Sequence, residues 1–295
     1  MIATVWLQRR NYQVAQVEVY SGPAFFWAEA VCWTLRLAGK PYVLTLHGGD
    51  LPAFSRRWPG RMRRLLSKAA RVTTPSNYLR NEMGTFRQDL QLIPNFLDLK
   101  AYQFRARTRP RPRLMWLRAF HNIYNPQLAP KVLALLVSEF PEMELIMLGP
   151  DKRDGSLAFT QQVARKLGVE DKITIAGQVP KSQVPFRISQ GDIFLNTTNV
   201  DNTPVSVLEA MATGLCVVST KVGGIPYLLE HESDALLVPP NDPEAMAGAV
   251  RRLLQDSSLA ARLSCQARRK AEQWDTSALL PRWETLLAGV AEGRP

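Results

Sequence analysis

The chain has 295 residues, 46% of them hydrophobic and 21% charged, with a net charge of +11. That length holds two domains with full cores, and no apolar run reaches the length of a membrane span. Cys32, Cys216 and Cys265 are odd in number and widely spaced, so they read as reduced core thiols in a cytoplasmic protein rather than a disulfide framework.

The charge is uneven. Residues 1–108 carry 16 Lys/Arg against 6 Asp/Glu, whereas residues 109–295 carry 21 against 20. A basic first half beside a balanced second half points to an anionic partner for the first, such as a membrane surface or a phosphorylated lipid. No nucleic-acid module accompanies the charge, so nucleic acid is not an expected partner. No Cys/His cluster has metal-ligand spacing, and no Asp-x-Asp triplet is available to hold a metal-bound nucleotide, so no metal is expected.

In chain order, Val14–Tyr20 alternates as a strand and Ala24–Leu37 follows as an apolar, aromatic-rich helix. Tyr42–His47 is a continuous apolar run of the buried parallel type, closed by Gly48-Gly49-Asp50. A basic amphipathic helix is predicted near 60–70, with Met62, Leu65, Leu66 and Ala69 on its apolar stripe. Val72–Pro75 and Leu90–Pro94 read as strands, with a helix starting at Asn77 between them. Residues 103–113 are rich in Arg and Pro without periodicity and read as an interdomain linker.

Beyond it, strands are predicted near 113–119, 143–149, 173–177, 192–196, 215–219 and 235–238, with helices between and after them. Six strands alternating with helices make a doubly wound parallel sheet. The tail, 257–291, is helical throughout, with Pro281 as a break or a helix start.

One stretch carries the chemistry. The strand Asp192–Asn196 leads into a polar loop, and a helix opens with Thr203 as N-cap and Pro204 in the first helical position. The amides of Val205 and Ser206 then point out of a positive helix end, which suits a phosphate. Asp201 and Glu209 bracket that end as hydroxyl acceptors. Taken alone, the stretch reads equally as an ordinary capped helix with solvated acids or as the floor of a sugar-nucleotide site.

Further motifs favour the second reading. Pro141–Gly149, Ile173–Val179, Gly191–Leu195, Val207–Gly214, Val217–Pro226 and Leu236–Asp242 fall in an order and spacing that resemble the donor domain of retaining glycosyltransferases, family 4, of GT-B fold. Thr45–Asp50, Thr74–Tyr78 and Leu92–Asn95 resemble the later part of that family's acceptor domain. The resemblance implies two Rossmann-like doubly wound domains, the N-terminal one incomplete: residues 1–107 on the acceptor side, 108–272 for the nucleotide sugar, and 273–295 as a helix crossing back.

The resemblance also assigns roles. Asp201 contacts the donor-sugar hydroxyls and Glu209 the ribose hydroxyls. The diphosphate lies on Thr203, Pro204, Val205 and Ser206, and Arg118 neutralises it. His47 touches the transferred sugar beside Gly49, and the backbone at Val179 reads the base. The implied reaction is retaining transfer from a nucleoside diphosphate sugar, UDP- or GDP-linked, to a lipid-linked or saccharide acceptor, without metal. The implied setting is cytoplasmic, peripheral on the inner membrane face.

Four departures stand out. Asp201 replaces the usual glutamate, and Pro204 replaces a glycine. The family's second cation, a lysine, has no counterpart in 122–126, leaving Lys131 to take its place if it reaches. The family's opening strand and Gly-rich loop have no counterpart before Val14. Two alternatives therefore stand beside the enzyme: a catalytically impaired sugar-nucleotide-binding scaffold, and a GT-B-like sugar-nucleotide epimerase.

Overall fold

The computed structural model describes residues 2–293, which divide into two units. The first comprises the chain up to Phe96 together with Asp201–Thr203 and the segment from Thr276 onward; the second comprises Leu97–Val200 and Pro204–Asp275.

The first unit begins with α1 (Ile2–Leu7), a short helix that periodicity does not announce. It continues through β1 (Ala15–Val19), α2 (Pro23–Leu37), β2 (Tyr42–Leu46), α3 (Leu51–Arg57), α4 (Pro59–Ser67), β3 (Arg71–Thr74), α5 (Asn77–Met83) and β4 (Gln91–Leu92). The strands form a parallel sheet in the order β1-β2-β3-β4, with Ala15 opposite Tyr42 and Leu44 opposite Val72. Every residue of β2 is buried, as a central parallel strand requires. β1 pairs on one side only and forms the sheet edge. Leu44 and Leu46 meet Phe25 and Leu35 of α2 and Met62 and Leu66 of α4 in a single core. The arginines of α4 lie outside that core, as its amphipathic pattern predicts.

The second unit runs β5 (Arg113–Leu117), α6 (Leu128–Ala134), β6 (Glu144–Leu148), α7 (Ser156–Lys166), β7 (Ile173–Gly177), α8 (Val184–Ile188), β8 (Ile193–Asn196), α9 (Val205–Thr213), β9 (Cys216–Thr220), α10 (Ile225–Leu228), β10 (Leu236–Val238), α11 (Pro243–Gln255) and α12 (Ser257–Ala271). Its sheet is parallel throughout, in the order β10-β9-β8-β5-β6-β7. The strand order reverses between β5 and β8, where Leu114 pairs with Ile193. The carboxyl ends at such a reversal diverge and leave a crevice for a ligand. This is the doubly wound sheet that the strand spacing predicts.

The last helix, α13 (Thr276–Ala291), groups with the first unit, where Leu286 and Val290 pack on Val43 and Ile93. Pro281 lies inside it. The helix runs through the proline rather than breaking or starting there. One intrahelical hydrogen bond is forfeited, and burial of Leu279, Leu286 and Val290 offsets the loss.

Residues 103–113 are not a loose linker. The division falls after Phe96 rather than after Arg107, because the following strap is packed into the second unit. Leu97, Leu99 and Tyr102 join the core formed by Phe194, Val207 and Met211. The side chain of Arg107 is fully buried and donates to the carbonyls of Arg105, Thr213, Ser189 and Gly191. Asp192, also fully buried, accepts from Arg105, from Arg107 at 3.3 Å, and from both the side chain (2.9 Å) and the amide (2.8 Å) of Arg111. Burial alone would raise its carboxyl pKa, but these donors outweigh burial and hold it at about 2.

Gly214 completes the arrangement. It ends α9 at φ +82°, the left-handed conformation that glycine adopts without strain. A side chain there would stand 2.5 Å from the Arg105 carbonyl.

Asp192→Ala leaves Arg107 buried without its counter-charge, so a loss of about 3–5 kcal/mol is expected in urea unfolding. The wild-type contribution of this carboxylate is present above its ordinary pKa, near 3.8, and lost as pH falls toward about 2. The alanine variant should therefore show a flatter acid limb of stability.

Candidate functional site

α9 enters its first turn from an extended residue. Pro204, with ψ 119°, occupies the N-cap, and Val205 is the first helical residue. The predicted Thr203 cap is thus displaced by one position, and no side chain caps this helix. The reason lies upstream: the Thr203 carbonyl accepts from Asn95 Nδ2 at 3.0 Å, which keeps the chain extended past it. The residue before a proline also disfavours helical geometry. Val207 donates to the Pro204 carbonyl at 3.1 Å, so intrahelical bonding starts there, and the amides of Val205 and Ser206 precede it. Val205 is exposed, whereas Ser206 is 5% exposed and its hydroxyl has no hydrogen-bond partner. Asn196 Oδ1 and Asn199 Oδ1, on the segment leading to the helix, are likewise buried without partners. Unpaired buried polar atoms are costly, and three within residues 196–206 suit a polar ligand at this helix end.

Glu209, in the second turn, is buried, and its Oε1 accepts from the Tyr102 hydroxyl at 2.8 Å. Burial raises its carboxyl pKa, while the Tyr102 hydrogen bond and the charges of Lys181 and Arg118 oppose the rise. Arg118 follows β5, donates its amide to the Leu148 carbonyl at 3.0 Å, and lies 4.3 Å from the Tyr124 ring centroid. Lys181 opens the short turn after β7, next to the half-buried Val179. Lys131 is solvent-exposed on α6 and does not figure among the charges acting on Glu209. The cation that accompanies Arg118 near this carboxylate is Lys181, which sequence reasoning missed although it lies two residues beyond the Ile173–Val179 motif. Tyr102 was missed as well, because nothing in the sequence couples it to Glu209.

Asp201 groups with the first unit, as do Asn202 and Thr203. All three first-unit motifs converge on this tripeptide. Gly49 packs so closely that a Cβ there would lie 2.6 Å from the Asp201 backbone. The Ser76 hydroxyl donates to Asn202 Oδ1 while accepting from the Leu79 amide as the cap of α5. Asn95 supplies the third contact. Asp201 is itself buried, and its Oδ1 accepts from the Asn202 amide at 2.9 Å.

His47 follows β2, its amide bonded to the Val19 carbonyl and its ring stacked on Tyr20 at 5.2 Å. Burial lowers its pKa below 6.5, against a smaller opposing effect of Glu18, so the imidazole is neutral near pH 7. Asp50 sits at the N-cap of α3 but makes no side-chain cap. His121 and His231 have structural employment, accepting from the amides of Ile123 and Leu237. Among the described residues, no group of three or more His, Cys, Asp or Glu is placed to hold a metal.

A doubly wound sheet with a polar helix end at its strand reversal, joined to a second parallel-sheet unit, is the architecture of GT-B glycosyltransferases. A structure of Anabaena Alr3699/HepE in complex with UDP matches with a TM-score of 0.80 at 18% identity, over 98% of this chain and 82% of that one. Sucrose-phosphate synthase from Thermosynechococcus elongatus matches with a TM-score of 0.78 at 20% identity, over 96% and 75%. The chain belongs to the glycosyl transferases group 1 family, whose model matches residues 107–270; the Glycosyltransferase Family 4 model matches residues 3–101. Among curated relatives, N-acetyl-alpha-D-glucosaminyl L-malate synthase of Bacillus anthracis is 25% identical over 96% of this chain and 76% of its own length. The amylovoran biosynthesis glycosyltransferase AmsK of Erwinia amylovora is 34% identical over 35% of this chain and 27% of its own length.

Gly49→Ala should cost about 1–3 kcal/mol through overpacking against the Asp201 backbone. Gly60→Ala, with nothing within 4 Å, should be neutral or stabilising. Thermal unfolding of the two variants side by side checks the contrast.

Proposed function

We propose that this chain transfers a sugar from a nucleoside diphosphate sugar to a lipid-linked or saccharide acceptor, with retention of configuration and without a metal. The observation that carries this reading is the gathering of the α9 N-terminus, Glu209, Arg118 and Lys181 at the strand reversal of the second unit. The diphosphate rests on the amides of Val205 and Ser206 and the Ser206 hydroxyl. Arg118 and Lys181 balance its charge as the leaving group departs. Glu209 accepts from the ribose hydroxyls, and the backbone at Val179 borders the base. Asp201 and neutral His47 are assigned to the transferred sugar. No carboxylate pair set for double displacement is assigned, so retention rests on attack from the leaving-group side.

The Anabaena structures in complex with UDP and UDP-glucose support a uridine-linked donor. The relative of amylovoran biosynthesis supports a saccharide acceptor. Incubation with a panel of sugar nucleotides should release nucleoside diphosphate with one of them. Glu209→Ala should weaken donor binding about 10- to 100-fold, the worth of a charge-assisted hydrogen bond. Asp201→Ala should remove turnover with donor affinity less affected. Unchanged donor binding in Glu209→Ala would remove the assignment, and binding without turnover would favour the scaffold alternative.

A peripheral membrane setting is part of the proposal. No helix among the described residues is long and apolar enough to cross a bilayer. However, α2 exposes Trp33 at 59%, at a groove of about 380 Å³ lined by Arg36, Arg61, Arg64 and Lys68 together with Glu29, the partner of Arg61, while Trp27, 58% exposed, borders a separate groove with Tyr12 and Leu35. An exposed indole flanked by cations suits the interface of an anionic bilayer. The chain should float with phosphatidylglycerol vesicles at low salt and less at high salt, and Trp27→Ser with Trp33→Ser should reduce flotation. Absence of flotation at both salt levels would exclude this setting.

A further inference from the structure

We infer that Tyr102 is a positioning residue for the donor site: its hydroxyl fixes the Glu209 carboxylate in the orientation that accepts the donor's ribose. The inference rests on the reading that Glu209 holds the nucleotide. It adds a residue from outside the helix, contributed by a strap that no sequence motif marks.

The geometry is closely constrained. Tyr102 is 7% exposed, and its ring lies in the core with Leu97, Leu99, Phe194 and Met211. Its amide donates to the Leu99 carbonyl at 3.1 Å and its carbonyl accepts from Arg268. The strap is pinned on either side. Leu97 donates to the Trp274 carbonyl at 2.9 Å and Leu99 to Asp275 Oδ1 at 3.0 Å, while Arg105 and Arg107 hold Asp192 farther along. The phenol therefore has a fixed position, and its 2.8 Å bond to Glu209 Oε1 fixes a carboxylate that would otherwise rotate about its side-chain torsions. With Oε1 engaged, Oε2 remains to accept from a ligand hydroxyl.

The hydrogen bond also sets the charge state. The groups facing Glu209 are Tyr102 from the strap, Lys181 from the turn after β7 and Arg118 from the end of β5. Burial pushes the carboxyl pKa up; the phenol bond and the two cations hold it down. The Tyr102 pKa is raised, by burial first and by Glu209 next, so the phenol stays protonated and can only donate to an ionised partner. Loss of the hydroxyl therefore leaves Glu209 easier to protonate, and a protonated carboxyl is a poorer acceptor. Sign and window follow: donor binding is full above the Glu209 pKa and weakens as pH falls through it, and the weakening starts at higher pH without the phenol.

The test is Tyr102→Phe, which keeps the ring and its packing. UDP and GDP are titrated in parallel, and steady-state kinetics are measured across pH with the accepted sugar nucleotide. Expected results are a rise of about five- to ten-fold in donor KM and nucleotide Kd, from loss of one charge-assisted bond. kcat should stay within about two-fold, and the acid limb of donor binding should move to higher pH. In a Glu209→Gln background, Tyr102→Phe should have a smaller effect, since the two act as one unit. A purely structural tyrosine would lower the melting temperature and leave the acid limb in place; that result, or unchanged KM, overturns the inference. If Glu209→Gln itself left nucleotide affinity untouched, the underlying site assignment would fail, which is a separate outcome.

Discussion

A single carboxylate anchors the second unit. Asp192 begins the buried run of β8 and gathers three arginines from a segment that, by composition, should be a flexible connector. The desolvation of a carboxylate and a guanidinium is a heavy cost, met only when nearly every donor and acceptor is satisfied. Here the Arg107 guanidinium is spread over four backbone carbonyls as well as Asp192. Such an arrangement favours one chain path. It lays the strap beside α9 and thereby carries Tyr102 to Glu209.

The residues assigned to the donor are held in place in two different ways. The sheet reversal between β5 and β8 supplies Arg118, and the start of α9 follows as a consequence of topology. The tripeptide Asp201–Thr203 is instead held by three loops of the first unit, through a glycine too close for any side chain, a serine with two partners and an asparagine amide. The first part is common to doubly wound folds. The second depends on individual residues.

What could be read from the sequence follows the same distinction. Every strand of the second unit lies within a residue or two of its expected place, because the inner strands are near-continuous apolar runs and the edge strand β7 alternates Ile with Thr or Ala. The strap was opaque, since Arg-Pro repeats have the composition of a linker and only the three-dimensional position of Asp192 shows otherwise. α9 starts one residue later than its sequence suggests because the tether from Asn95 to the Thr203 carbonyl spans more than a hundred positions. Glu209 is marked by its motif, whereas Tyr102 is not. A hydrogen bond between a non-periodic segment and a helix face leaves no trace in spacing. Lys181 is hidden for a simpler reason: it lies far from Arg118 in the chain and reaches the neighbourhood of Glu209 from a different strand end.

The tether of Asp201–Thr203 has a bearing on modularity. These residues are encoded within the second unit's stretch of chain, yet their anchors Gly49, Ser76 and Asn95 are encoded in the first. A recombination event that exchanged the first unit with that of a relative would transplant the anchors with it. The second unit could then retain the start of α9 while the placement of Asp201 was reset. Exchange is therefore constrained at three loop positions, and the small residues there limit which halves of this family can be recombined.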